Sequence, residues 1–303
     1  MKVGVTVIFK HSVFSAGSPQ MSLTVAEAYT MLGHTVTLIR IPVDNEDPLW
    51  WDDIQSIKDT WKSIHYKDYT PGQFDIVIEI EHCLLPFESR KGSTPYIWLV
   101  RKSPLFHDIE KCVTPHGIMP RNLTGITESW VLRELCSKDD IEYLELITRK
   151  PVKVVPFMWS PLAIEIYNKE TNNPIWHATR SVDKPYMISV CEKNVTSTSN
   201  CTIPLMIIRQ VINSGLHPLD KRLAIFNAAM LKVSKFFIEN VVNPALSGIN
   251  EVQLAMEARC RVIDLTKQVN TVIISHTRFI NIRALYLDCL WVGIPLVHNV
   301  KLL

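Results

Sequence analysis

Apolar residues along this chain fall into short β-branched runs separated by longer stretches of helical spacing. The first run, Val3–Phe9, is almost wholly apolar, as a strand covered on both faces of a sheet must be. A loop, His11–Gln20, carries Ser12, Ser15, Gly17, Ser18 and Pro19. Met21–Leu32 then sets Met21, Leu23, Val25, Ala26, Ala28 and Met31 at helical spacing. Gly33 is placed to end that helix, and Thr35–Ile41 is a second apolar run. Together these make one strand–helix–strand unit. Further strands are expected at Phe74–Ile80, Tyr96–Val100, Ile126–Val131 and Val152–Phe157, with a helix over Asp139–Ile147. Periodicity fades over Trp159–Pro185 and restarts with a strand at Tyr186–Cys191. A polar loop, Glu192–Asn200, leads to a helix from Thr202 and a strand at Leu223–Ala228. Helices follow over Leu231–Asn240 and most of Glu251–Lys267, then a strand at Thr271–Ser275, a helix over Asn281–Val292 and a last strand at Leu296–His298. Such alternation predicts an α/β fold with mostly parallel sheets and right-handed crossovers.

The length of 303 residues suits two domains. The periodicity divides the chain into residues 1–160, a connection at 161–185, and residues 186–303. Apolar residues at 47% and charged residues at 20% exclude a disordered chain. A formal charge of +2, from 32 basic and 30 acidic residues, gives no reason to expect nucleic acid or an anionic membrane as partner. No apolar run is long enough for a membrane span, and the short N-terminal run reads as a strand rather than a secretion signal. Seven scattered cysteines, odd in number and without a CxxC pair, read as free thiols in a reducing, cytoplasmic compartment. The three Asn-x-Thr sequons, at Asn122, Asn194 and Asn200, are then chance matches.

Ligands of doubly wound sheets bind at the carboxyl ends of strands, which points to four segments. The His11–Gln20 loop, with Ser15, Gly17 and Ser18, precedes a helix but has no GxGxxG, so a dinucleotide is not expected. His82 follows the strand that ends in Glu79 and Glu81, and is a candidate general base. An ordinary packed or solvent-facing loop histidine is the competing account. In the Glu192–Asn200 loop, Lys193, Asn194, Thr196, Ser197 and Thr198 can hold a diphosphate. In Thr271–Asn299, a strand delivers Ser275, His276 and Arg278 to its end. Asn281 opens the next helix, Asp288 lies within it, and Gly293 and Pro295 end it. Arg278 suits a phosphate by its bidentate fork, and Asp288 suits ribose hydroxyls. Trp50, Trp51 and Trp61 read as packing against the first sheet rather than as a sugar platform.

The Thr271–Asn299 segment resembles the donor-site signature of GT-B glycosyltransferases, especially the retaining, sucrose-synthase-like group. Asp288 stands where the second Glu of that signature falls, five residues before Gly293, and Leu296-Val297 fits its closing strand. The position of the first Glu is Ile280, with Asn281 beside it. More closely, Ser275-His276, Tyr286-Leu287-Asp288 and Gly293-Ile-Pro-Leu-Val-His-Asn299 resemble an uncharacterised glycosyltransferase-like family of bacteria and large DNA viruses. Glu192-Lys-Asn194 resembles that family's Glu-Pro-Asn element. The likeness is specific over the last thirty residues and loose in the N-terminal half. It implies two Rossmann-like domains facing each other across a cleft, residues 1–160 serving the acceptor and residues 186–303 the donor. The implied activity is hexosyltransferase-like, moving sugar from a nucleoside-diphosphate sugar to a glycan, protein or small-molecule acceptor. No cofactor or bound metal is expected, since basic side chains and helix amides offset leaving-group charge. GT-B chains continue beyond this last strand, so a chain ending at Leu303 is expected to be truncated.

Two other functions fit the same residues. The absence of a Glu at position 280 fits a degenerate protein that binds nucleotide-sugar without turnover. Nucleotide-sugar epimerases share the sheet pattern, and product analysis separates them from transferases.

Overall fold

A computed structural model describes residues 1–8, 17–41, 55–81, 84–112, 122–172, 177–194, 198–215, 219–247, 253–278 and 280–300. The chain divides into two compact units, Met1–Asn172 and Asn173–Leu303.

The first unit holds strands β1 (Lys2–Ile8), β2 (Thr35–Ile41), β3 (Lys62–His65), β4 (Ile76–Ile80), β5 (Tyr96–Val100), β6 (Glu128–Leu132) and β7 (Val152–Val155). Its helices are α1 (Gly17–Met31), α2 (Gln55–Thr60), α3 (Pro104–Cys112), α4 (Lys138–Thr148) and α5 (Leu162–Glu170). The sheet runs β3-β2-β1-β4-β5-β6-β7, with every neighbour parallel. Strands covered on both faces need apolar residues at successive positions, and β5 is buried from Tyr96 to Val100. Helix α1 starts four residues ahead of its apolar stripe because Pro19 fits a first helical turn, where its missing N–H is not needed.

Two short elements escaped the periodicity. In α2 the single buried apolar residue is Ile57, and β3 is too exposed to alternate clearly. Trp61, between them, is buried and donates its indole N–H to Thr30 Oγ1 at 2.9 Å. It therefore packs, as expected, while Trp50 and Trp51 lie outside the described residues. Helix α5 falls in the stretch read as a connection. It buries Ile164, Ile166 and Tyr167 and packs against α1 and α2, so the first compact unit continues to Asn172.

The second unit holds β8 (Tyr186–Val190), β9 (Leu219–Ile225), β10 (Gln253–Met256), β11 (Thr271–Ile274) and β12 (Leu296–Val297), ordered β10-β9-β8-β11-β12 and all parallel. Its helices are α6 (Thr202–Asn213), the short α7 (Lys235–Phe237), α8 (Asn243–Leu246) and α9 (Val262–Leu265), and α10 (Ala284–Trp291). The core gathers Ile188, Val190, Leu205, Ile208, Ile225, Met256 and Ile274.

Two stretches differ from what their sequence pattern predicts. The pattern predicts helix over most of Glu251–Lys267, yet Gln253–Met256 is the edge strand β10 and, among the described residues of that stretch, only Val262–Leu265 is helix. Gln, Leu, Ala and Met favour a helix locally, but pairing with β9 and the burial of Met256 outweigh that preference. The stretch Leu231–Asn240 is not one helix. It is a 3₁₀ turn at Ala229–Val233, then α7, then a π turn at Ile238–Val242 that leads into α8. The expected stop at Gly293 is present: its φ is 73°, and the Ile294 N–H reaches back to the Cys289 carbonyl at 2.9 Å. No helix among the described residues is long and apolar enough to cross a membrane.

Candidate functional site

In the second unit the winding direction changes between β8 and β11, where a doubly wound sheet opens a crevice at its carboxyl edge. Glu192 stands there, two residues past β8 and fully buried. One carboxylate oxygen accepts the Ser275 hydroxyl and the His276 backbone N–H, the latter at 3.1 Å. The other accepts the Ser199 hydroxyl and Arg283 Nη1, the latter at 2.7 Å. Arg283, at the start of α10, also donates through Nη1 to Ser275 Oγ and through Nη2 to the Cys191 carbonyl, each at 3.3 Å. The Tyr286 hydroxyl lies 2.9 Å from Ser275 Oγ, and its ring stacks on His298 at 5.3 Å between centroids. A cation at a helix N-terminus opposes the helix dipole, so it needs an anion beside it. Burial disfavours the charge on Arg283, but Glu192 and then Tyr286 outweigh that and hold its pKa above the usual guanidinium value.

This buried network fixes two loops. Asn194 has a φ of 57°, which asparagine tolerates. Its side chain donates to the Phe226 carbonyl at 3.0 Å and accepts the Cys201 N–H at 2.8 Å. Asn227 donates to the Glu192 carbonyl at 2.8 Å. Ser199 and Thr277 form an antiparallel bridge, and the Arg278 N–H reaches the Thr198 carbonyl at 2.9 Å. Asn299 clamps the Thr277 backbone, accepting its N–H at 3.0 Å and donating to its carbonyl at 2.8 Å. The loop after β8 and the loop after β11 are thus tied edge to edge.

Several residues singled out in the sequence meet here. Lys193 is half-buried at the start of the first loop, and Thr196 and Ser197 lie outside the described residues. His276 is half-buried and Arg278 exposed on the second loop. The Arg278 guanidinium has no hydrogen bond or ion pair among the described residues. Asn281 is exposed just before α10. Asp288 is buried within α10, beside Cys289, whose thiol is pushed up first by burial and then by that carboxylate. Asn194 shapes its loop: its amide groups are engaged by backbone.

In the first unit, Ser15 and His82 lie outside the described residues. Gly17 and Ser18 open α1 at the matching crevice between β1 and β4. These strands pair only from Val3 to Val5 with Ile76 to Ile78. Beyond that the Ile80 N–H donates to Thr6 Oγ1 at 3.0 Å. Glu81 follows β4 with a φ of 50°, an uncommon conformation for a residue with a side chain. Its buried carboxylate accepts the Ser18 hydroxyl and Arg101 Nη2, the latter at 3.1 Å, and faces Lys102 Nζ at 3.5 Å. A Cβ on Gly17 would stand 2.6 Å from Arg101 Nη1, so only glycine leaves that guanidinium in place. Glu79 has a different fate. It lies in the core with Arg90, bonded to Nε at 2.8 Å and Nη2 at 3.0 Å, and both side chains are fully buried.

Sequence reasoning passed over Arg283 and Arg101. Arg283 carried one readable signal, a lone cation opening an apolar helix against its dipole. Arg101 follows β5 directly, at the carboxyl edge the topology rule names.

A family model described as "Protein of unknown function (DUF2827)" matches residues 3–303. The chain belongs to that family. No curated protein matches it. Among solved structures, a sucrose-phosphate synthase from Thermosynechococcus elongatus superposes with a TM-score of 0.52 at 9% identity, covering 98% of this chain and 80% of that one. A UDP-GlcNAc 2-epimerase from Methanocaldococcus jannaschii superposes with a TM-score of 0.49 at 8% identity, covering 99% and 85%. With the first of these likenesses, the two parallel sheets give the chain a GT-B-like α/β fold.

Proposed function

We propose that this protein is a glycosyltransferase that takes its sugar from a nucleoside-diphosphate sugar bound at the carboxyl edge of β8 and β11. The observation that carries this reading is the joining of the two loops there. It holds the backbone of Arg278, whose exposed guanidinium has no partner among the described residues, against the backbone of Thr198, on the same loop as Lys193. A fork-shaped cation on one of two joined loops, with a second cation on the other, is suited to a diphosphate. In the proposal Arg278 and Lys193 meet the diphosphate, His276 and Asn281 line the donor pocket, and Asp288 holds the ribose. Asp288 is the least accessible of these contacts. The fold likeness to sucrose-phosphate synthase supports the class of ligand. Transfer without a bound metal is part of the proposal, with the two cations offsetting the leaving diphosphate.

The acceptor is assigned to the first unit, where Glu81 joins Gly17 and Ser18 as the acceptor-side group beside the proposed general base His82. The direct test is isothermal titration with UDP and GDP, followed by product analysis with their sugars. Binding with sugar transfer supports the reading, and no binding to either nucleotide overturns it.

A second reading keeps the ligand and drops the reaction. Ile280 stands where the GT-B signature has the Glu that contacts the donor sugar, and the Ile280 carbonyl is engaged by Thr277 Oγ1 at 3.0 Å. Nucleotide binding with neither transfer nor hydrolysis favours this binding-only protein.

A further inference from the structure

Five cysteines among the described residues are free thiols, and two of them are neighbours. Cys191 Sγ and Cys260 Sγ lie 3.9 Å apart, although 69 residues separate them in the chain. Cys191 is buried at the end of β8, immediately before Glu192, and its carbonyl holds Arg283 Nη2 at 3.3 Å. Cys260 is half-buried on the loop that follows β10. That loop is fastened to the same wall of the site. The Asn227 N–H donates to the Ala258 carbonyl at 3.2 Å, and the Asn227 side chain donates to the Glu192 carbonyl.

We propose that Cys191 and Cys260 are an oxidation site, closed to a disulfide by a peroxide, directly beneath the Glu192–Arg283 pair. The sulfurs need to approach by about 2 Å to reach bonding distance, which is near 2.05 Å. The loop bearing Cys260 makes that movement, because β8 is held on both sides by the sheet. The half-exposed Cys260 reacts first: its thiolate attacks one peroxide oxygen, the O–O bond breaks, and the other oxygen leaves as water after protonation. Cys191 sulfur then attacks the resulting sulfenic sulfur, the S–O bond breaks, and the second oxygen leaves as water. Two thiols are oxidised to one disulfide and one peroxide is reduced to two waters, so atoms and electrons balance. The order of attack follows from the Cys191 thiol, which its hydrogen bond with Cys260 and its burial hold well above the ordinary range. Cys289 is also close to Cys191 but fully buried in α10, away from an external oxidant.

The test is treatment of the full chain with hydrogen peroxide, followed by intact mass and peptide mapping. The expected result is loss of two hydrogens, a Cys191–Cys260 cross-linked peptide, and reversal by dithiothreitol. Cys260→Ser abolishes the cross-link, whereas Cys136→Ser, in the other unit, retains it. Recovery of Cys260 as sulfinic acid, or its full alkylation after peroxide treatment, overturns the proposal, as does a cross-link from Cys191 to Cys289. The wild-type map decides the matter even where a variant fails to fold, and it is independent of nucleotide binding.

Discussion

Glu192 and Arg283 are joined at 2.7 Å across 91 residues of chain, the carboxylate fully buried and the guanidinium side chain only 13% exposed. The pair links the end of β8 to the start of α10, and through Ser199, Ser275 and His276 it locks the two loops that carry Arg278 and Lys193. Removing one partner of a buried pair leaves the other charged and dry. Glu192→Ala is therefore expected to destabilise the second unit by about 3–5 kcal/mol. Urea denaturation measures this, and a loss below about 1 kcal/mol would mean that solvent reaches Arg283 freely.

Arg278 is expected to behave in the opposite way. The residue is exposed and its guanidinium has no partner among the described residues, so Arg278→Ala, which keeps the backbone bond, should leave stability within about 0.5 kcal/mol of wild type. The same change is expected to weaken UDP or GDP binding by about 1.5–3 kcal/mol, or roughly ten- to a hundredfold. Titration calorimetry reads both nucleotides, and unchanged affinity would remove the diphosphate role from Arg278.

The strained backbone at Glu81 separates two losses. Glu81→Ala and Glu81→Asn both remove the carboxylate that holds Ser18 and Arg101, but asparagine tolerates the φ of 50° and alanine does not. Glu81→Asn is expected to be the more stable variant by about 1 kcal/mol in chemical denaturation. Equal stabilities would show that the positive φ relaxes once the carboxylate is gone.

Alkaline pH is expected to weaken the fold. Burial pushes the Cys201 thiol up to about 12, while an unfolded cysteine ionises near 8.5. A raised folded-state pKa gives stability that is whole below about pH 8.5 and is lost as pH rises toward 12. For Cys201 the loss at pH 10 is about 1–2 kcal/mol. The urea midpoint followed from pH 8 to pH 10 measures it. Cys201→Ala should flatten that slope even if it lowers the midpoint throughout, and an unchanged slope would place the loss on other groups.

Much of the fold was legible because both sheets are parallel and buried, which leaves continuous apolar runs such as Tyr96–Val100 in the sequence. Elements with little burial of their own, such as β3 and α2, left no such trace. Local preference misread β10, where Gln253–Met256 gains its hydrogen bonds from β9 rather than from a helix. Within the site, Ser275, Tyr286, His298 and Asn299 were readable as a motif, but their work was not. They brace the loops through Glu192, Thr277 and one another, and of the polar side chains singled out for ligand Asn194 is engaged by backbone and Asp288 is buried.

The sequence by itself determined the alternation of strand and helix, and with it two parallel sheets and the edges where a ligand would lie, because periodicity and helix stops are local properties. Only the tertiary structure decided which charges are dry and which are open. Glu192 finds Arg283, Glu79 finds Arg90 and Glu81 finds Arg101 across separations that no local pattern records, and desolvation then fixes each of those pairs while leaving Arg278 exposed.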